Sequence, residues 1–304
     1  MAHDDDVTPE ESKAYWEFST RLLFRLGNIF SPVLWHYTDA AGLLGIFKTQ
    51  NIHLTQVACL NDSLEAKHFN NVLLERHKVK RPSFTDADAL FFLDCAKAGL
   101  EAAHFPSFSR FVGCFSEAQN DLSQWRGYGG GECGFAIGFD TQGLIKVATS
   151  QKALLLPLTY NEADQNAVSD EIIDAAVEFF KTGLKSRSDR EKWVRVFLDK
   201  FALAMGAVGA TIKHPAFAAE REIRFVRPLY VGEEANLIFR AKKTLLARHY
   251  PISLLVEGKM PIKEIIVGPG PSQEVSKVSV GDLLKRVGLG GVPVTLSEVP
   301  FRVR

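Results

Sequence analysis

The chain has 304 residues, of which 46% are hydrophobic and 24% charged, enough apolar material for one large globular domain or two modest ones. Its 36 basic and 36 acidic side chains cancel, which excludes a global field steering the molecule onto nucleic acid or an anionic membrane and leaves room only for local contacts of that kind. Apolar runs such as Leu154 to Leu158 fall far short of the roughly 20 residues that span a bilayer, and Met1 to Thr8, with consecutive aspartates, lacks the basic and apolar segments of a secretory signal. The expectation is a cytoplasmic protein that makes no membrane contact. The cysteines at positions 59, 95, 114 and 133 show no CxxC spacing, so neither a zinc site nor a disulfide framework is encoded and no metal is expected.

After an acidic tail, Thr8-Pro9-Glu10-Glu11 reads as an N-cap, a proline at the first helical position and a capping-box glutamate. Tyr15, Phe18, Leu22 and Leu26 recur at helical spacing until Gly27, so residues 1–30 form a tail and a bracing helix. Val33 to Tyr37 is a strand candidate, with Thr38 as the cap of a helix carrying Leu43, Leu44, Ile46 and Phe47. Ile52 to Thr55 is a second strand, Asn61-Asp62-Ser63 caps a helix from Leu64 to about Lys78, and another helix runs from Thr85 to about Ala103.

Phe111 to Phe115 and Cys133 to Phe139 read as strands joined by a polar, glycine-rich connection that contains Trp125 to Gly131. In the second of them Gly134, Ala136 and Gly138 alternate with Phe135, Ile137 and Phe139, so one face is bulky and the other permits close approach. Leu154 to Tyr160 is a further strand. Helices are expected at about Asp164 to Lys185 and Ser188 to Ile212, the second opened by the box Ser188 to Glu191, and together they read as a helical insertion at about 164–213. A strand at Glu222 to Pro228, a helix near Ala235 to Arg248, and strands at Ile262 to Val267 and Val292 to Val303 complete the chain. Strands and helices do not alternate regularly, which argues for an α+β protein and against a doubly wound parallel sheet.

Three segments carry chemistry. His36 stands at the end of a short strand, where an imidazole can hold a ligand or simply bond to backbone. In Ala219 to Phe225, strand alternation sets Glu220, Glu222 and Arg224 on one face, and like-charged carboxylates side by side can raise the pKa of one of them. Between Ser116 and Tyr128, indole and phenol rings beside glycines form a flat wall suited to a planar ligand, and the Arg126 fork suits a pyrophosphate or carboxylate. The alternative is a tight glycine turn with Trp125 and Tyr128 buried as core anchors. Asn61 and Asp62 are ordinary capping residues that can also line the cleft. The glycine run lacks GxGxxG spacing, and no GxxxxGK[ST], HExxH or G-x-S-x-G occurs, which excludes Rossmann, P-loop, zincin and hydrolase-elbow readings.

The motifs Leu34-Trp35-His36-Tyr37-Thr38, Leu60-Asn61-Asp62, Cys114-Phe115-Ser116, Leu122-Ser123-Gln124-Trp125-Arg126-Gly127-Tyr128 and Glu220-Arg221-Glu222-Ile223-Arg224 resemble, in this order, a bacterial family called domain of unknown function 2971. The resemblance runs from about Leu34 to Pro269. That family in turn resembles, more distantly, the ADP-ribosyltransferase superfamily. This second resemblance implies two small, mostly antiparallel sheets around a cleft, with flanking helices, in a single domain over 31–304. It implies NAD as substrate, Glu222, Glu220 and His36 as catalytic groups, and NAD contacts from His36, Tyr37, Thr38, Asn61, Ser116, Trp125, Arg126 and Tyr128. The middle position of the superfamily triad stays open among Ser116, Trp125 and Tyr128. ADP-ribose would pass to a protein or nucleic-acid acceptor, with a toxin or anti-phage role and an antitoxin or sensor as partner. The alternatives are NAD hydrolysis at the same site and a nucleotide-sensing module without turnover.

Overall fold

A computed structural model describes residues 6–29, 31–60, 65–102, 110–129, 134–242 and 245–300. In chain order the regular elements are α1 (Pro9–Leu26), β1 (Val33–Thr38), α2 (Ala40–Thr49), β2 (Asn51–Gln56), α3 (Glu65–Lys80), α4 (Ala87–Glu101), β3 (Arg110–Ser116), α5 (Leu122–Tyr128), β4 (Phe135–Asp140), α6 (Thr141–Ser150), β5 (Leu154–Pro157), α7 (Glu162–Leu184), α8 (Arg190–Gly209), β6 (Glu222–Pro228), β7 (Ile238–Ala241), β8 (Leu246–Ser253), β9 (Ile262–Val267), α9 (Gln273–Arg286) and β10 (Val294–Leu296). The chain divides into two compact units, each assembled from three separated stretches.

One unit, drawn from residues 1–28, 56–110 and 158–217, is helical. The capping box expected at the start of α1 is present: the Glu11 amide donates to Thr8 Oγ1 at 3.1 Å, and the Thr8 amide donates to Glu11 Oε2 at 2.8 Å. Helical spacing then turns Tyr15, Phe18 and Leu22 to one side, where Tyr15 meets Phe197 edge to face. Helices α7 and α8, expected as an insertion, pack here with α1, α3 and α4. Phe180, Trp193 and Phe197 are wholly buried between them, each worth roughly 1.5–3 kcal/mol of apolar transfer. The Trp193 indole keeps its polar edge satisfied by donating to the Phe180 carbonyl at 3.0 Å. The cap of α8 is Asp189, whose carboxylate accepts from the Lys192 amide, and not Ser188.

The other unit, drawn from residues 29–55, 111–157 and 218–304, holds the sheet. The α+β class holds, but the strands join one mixed ten-stranded sheet instead of two small ones. Its order is β10-β9-β4-β1-β3-β2-β8-β7, with β6 branching from β3 and β5 pairing with β6. The β10–β9 pair is parallel. One face, with Leu34, Ile137, Phe139 and Ile265, packs on Leu43 and Phe47 of α2, Leu144 and Val147 of α6 and Leu284 of α9. The opposite face carries a smaller cluster of Trp35, Tyr37, Ala136 and Ile266 closed by Trp125.

The alternation in β4 has its physical reason here. A Cβ at Gly138 would come within 2.8 Å of the Trp35 ring, and one at Gly134 within 2.4 Å of the Gly129 backbone. The small-residue face is therefore the floor beneath β1's own tryptophan and the end of α5.

Three further sequence expectations give way. Residues expected as a helix near Ala235 to Arg248 form a 3-10 turn at Glu234–Asn236 and strands β7 and β8, because β8 pairs with β2 over 249–253 and with β7 over 246–249, and its burial alternates with period two at Leu246 to His249. The connection expected between β3 and β4 contains a helix, α5, started by Asp121, whose carboxylate accepts from the amides of Ser123 and Gln124. Thr38 ends β1, and Asp39 caps α2 by accepting from the Gly42 amide at 2.7 Å. Helices α6 and α9 stand where the sequence reading places no element, although Asp140 caps α6 by accepting from the Gly143 amide at 2.8 Å. Among the described residues, no helix is long and apolar enough to cross a membrane.

Candidate functional site

Strand β1 runs in full register with β4, yet it meets β3 at the single registered pair Trp35–Ser116 among the described residues. Beyond that pair a side chain takes over from backbone pairing: His36 Nδ1 lies 2.9 Å from the Cys114 carbonyl oxygen. A carbonyl only accepts, so Nδ1 carries the proton and Nε2 is left as an acceptor in the neutral ring. Burial pushes the His36 pKa below 6.5, opposed by the bond to Cys114, so the ring is neutral at pH 7.

Two cavities adjoin this seam. A niche of about 50 Å³ is lined by Trp35, His36, Tyr37, Cys114, Phe115, Gln124, Tyr128, Glu220 and Glu222. A groove of about 560 Å³ shares His36, Tyr37 and Tyr128 with it and continues past Thr38, Asp39, Gly42, Asn51, His53 and Arg240. The groove has the size of a small-molecule site.

The acidic side is set by an irregular entry into β6. Strand alternation from Glu220 to Glu222 is not what positions the pair. Glu220 ends a 3-10 turn over Pro215–Glu220, Arg221 takes a left-handed conformation at φ 42°, and β6 begins only at Glu222. The strained turn is pinned from the end of β3: Ser116 Oγ donates to the Glu220 carbonyl at 2.6 Å, and the Glu117 amide donates to the Arg221 carbonyl at 3.0 Å. Both carboxylate residues nevertheless reach the niche, Glu220 half-buried and Glu222 buried. Glu222 is held by Arg224 on the same strand face, with Nε to Oε1 at 2.6 Å and Nη2 to Oε2 at 3.1 Å, and the two side chains are 6% and 2% exposed. The geometry is that of a paired, charge-assisted contact between the carboxylate and the guanidinium fork.

The other expected site residues divide into those that line the cavities and those that build them. Tyr128 is 42% exposed and borders both cavities. Tyr37 also borders both, while its hydroxyl donates to the Ala118 carbonyl at 2.7 Å and accepts from the Asp121 amide at 3.1 Å; burial pushes its pKa up to about 12. Thr38 borders the groove. Trp125 borders neither cavity. It is buried, edge-to-face with Tyr37 at 4.8 Å between centroids, and its indole donates to Asn120 Oδ1, so it serves as a core anchor. Ser116 is buried and holds the β6 entry turn, and its Oγ also accepts from the Ala118 amide. Arg126 is exposed on α5 and borders neither cavity. Asn61 lies outside the described residues.

Sequence reasoning passed over His53, Arg240 and Gln124. His53 and Arg240 come together only through the β2–β8–β7 pairing, which a helix over 235–248 does not provide. Gln124 follows three residues after the Asp121 cap, which places it within the first turn of α5. Among the described residues, no group of three or more His, Cys, Asp or Glu side chains is placed to hold a metal ion.

A family model described as "Protein of unknown function (DUF2971)" matches residues 124–225. The matched span takes in Tyr128, Glu220 and Glu222 and leaves out His36 on β1, and it supports the family resemblance over that part of the 304-residue chain. No curated protein and no solved structure matches the chain.

Proposed function

We propose that the groove binds NAD and that the niche is where its nicotinamide–ribose bond is broken, with the ADP-ribosyl group passing to a nucleophile on a protein or nucleic acid. The observation that carries this reading is the convergence of His36 from β1, Tyr128 from α5 and Glu220 and Glu222 from the β6 entry on one niche beside a groove of about 560 Å³.

Each group has a task suited to its state. Breaking the glycosidic bond leaves its electron pair on the nicotinamide nitrogen and develops positive charge on the ribose, as in glycoside hydrolysis. Glu222, held by Arg224, faces that charge and stabilises it. Neutral His36, with Nε2 as acceptor, orients a ribose hydroxyl. The exposed Tyr128 ring gives the departing nicotinamide a face to stack on. The acceptor's lone pair forms the new bond to the ribose carbon, and its proton passes to Glu220.

Release of nicotinamide from NAD, measured by mass spectrometry with and without cell lysate, tests the proposal. Wild type should release nicotinamide, and Glu222→Gln and Glu220→Gln should each lower the rate by about a hundredfold or more while retaining the wild-type circular dichroism spectrum. A mass addition on a lysate component identifies transfer; release without an adduct identifies hydrolysis. Absence of release by wild type under both conditions refutes the reading and leaves a binding module.

A further inference from the structure

We propose that the far end of the groove, formed by Arg240 on β7 and His53 on β2, is an anion subsite that takes the phosphate or diphosphate of the ligand. This rests on the reading of the groove as a nucleotide site and adds the direction in which the ligand lies.

Strands β7, β8 and β2 are neighbours in the sheet, with Ile238 opposite His249, His249 opposite Thr55 and Pro251 opposite His53. Side chains two residues apart share a face, so Arg240, His249, His53 and Thr55 lie on the same side. Arg240 Nη2 stands 2.6 Å from His53 Nδ1. Guanidinium nitrogen only donates, so His53 Nδ1 is the acceptor and its proton resides on Nε2. This histidine therefore has the opposite tautomer from His36, whose Nδ1 donates to Cys114 and whose Nε2 accepts.

The groove thus has chemical polarity. One end offers acceptors: His36 Nε2, and across the niche Glu220 and Glu222. The other presents donors: the His53 Nε2–H and the remaining guanidinium N–H groups of Arg240. A sugar hydroxyl is a donor to the first end, and a phosphate oxygen is an acceptor from the second. Arginine's planar fork also matches phosphate in a two-pronged contact.

The charges around the subsite favour an anion. Burial and the neighbouring Arg240 cation lower the His53 pKa, and Lys242 adds to the positive field that acts on the adjacent His249. Asp39 also lines the groove, with its Oδ1 accepting from the Gly42 amide as the α2 cap, and it stands at the β1–α2 junction whereas Arg240 and His53 stand on β7 and β2.

Calorimetric titration of the full chain with inorganic pyrophosphate, ADP and adenosine tests the subsite. Wild type should bind pyrophosphate, and ADP at least about tenfold more tightly than adenosine. The exposed Arg240 changed to Gln should erase the ADP preference and weaken pyrophosphate binding by about tenfold or more while leaving adenosine affinity unchanged. His36→Asn should leave pyrophosphate binding intact. In parallel, the His53 imidazole resonances should shift upward in pKa when pyrophosphate is added, because a bound anion favours the protonated ring. No pyrophosphate binding by wild type, or equal binding by Arg240→Gln, overturns the subsite even if nicotinamide is released. Pyrophosphate binding without nicotinamide release upholds the subsite and removes the catalytic reading instead.

Discussion

Glu222 and Arg224 form a buried ion pair whose integrity decides how any loss of activity in a Glu222 variant is interpreted. At 2.6 Å and an effective dielectric of about 20, the attraction is about 6 kcal/mol, offset by a desolvation penalty of several kcal/mol for each ion. The intact pair therefore contributes little net stability. Removing one partner is different, because the other charge stays buried at 2–6% exposure. Arg224→Met should cost about 3–5 kcal/mol, Glu222→Gln a similar or smaller amount, and the double variant should recover at least about 2 kcal/mol relative to the sum of the two. Urea unfolding of the four proteins, followed by circular dichroism at pH 7, measures the cycle. A cost below about 1 kcal/mol for Arg224→Met, or additivity within about 0.5 kcal/mol, would refute the picture of a desolvated pair. In that case the loss of nicotinamide release expected for Glu222→Gln would be read as chemistry alone, without a structural share.

Three further outcomes follow from the geometry. Ser116→Ala removes the donor to the Glu220 carbonyl and the acceptor of the Ala118 amide; it should destabilise the fold by about 1–3 kcal/mol in urea titration and lower nicotinamide release through displacement of Glu220. Asp121→Ala removes the cap of α5 and should cost about 1 kcal/mol, with increased hydrogen exchange at Ser123 and Gln124 as the readout. His249 is pushed down to about 4 by burial and by the charges of Arg240, His53 and Lys242. Because its folded pKa lies below the unfolded value of about 6.5, the unfolded state takes up the proton first; stability should be full above about pH 6.5 and fall by up to about 1 kcal/mol per pH unit as pH drops toward 4. Urea midpoints across that window should flatten in His249→Gln, and an unchanged slope would contradict the shift.

What the sequence determined by itself is local. The Thr8 to Glu11 box, the helical periods in α1, α7 and α8, the strand at Glu222 and the small-residue face of β4 follow from short-range sterics and hydrogen bonding, and the structure carries them within a few residues. The motifs around His36, Tyr128, Glu220 and Glu222 were also legible, and the structure gathers these residues on one niche. Tertiary structure decided the rest. Ile238–Ala241 and Leu246–Ser253 are strands because β2 supplies a partner edge to β8, a pairing between positions nearly 200 apart that no local window contains. Trp125 is an anchor and not a ligand wall because Tyr37 and the side-chain-free backbone of Gly268, just after β9, close on its ring. The opposite tautomers of His36 and His53 depend on a carbonyl from β3 and a guanidinium from β7, brought to them only when the sheet assembles, and that assembly gives the groove its direction.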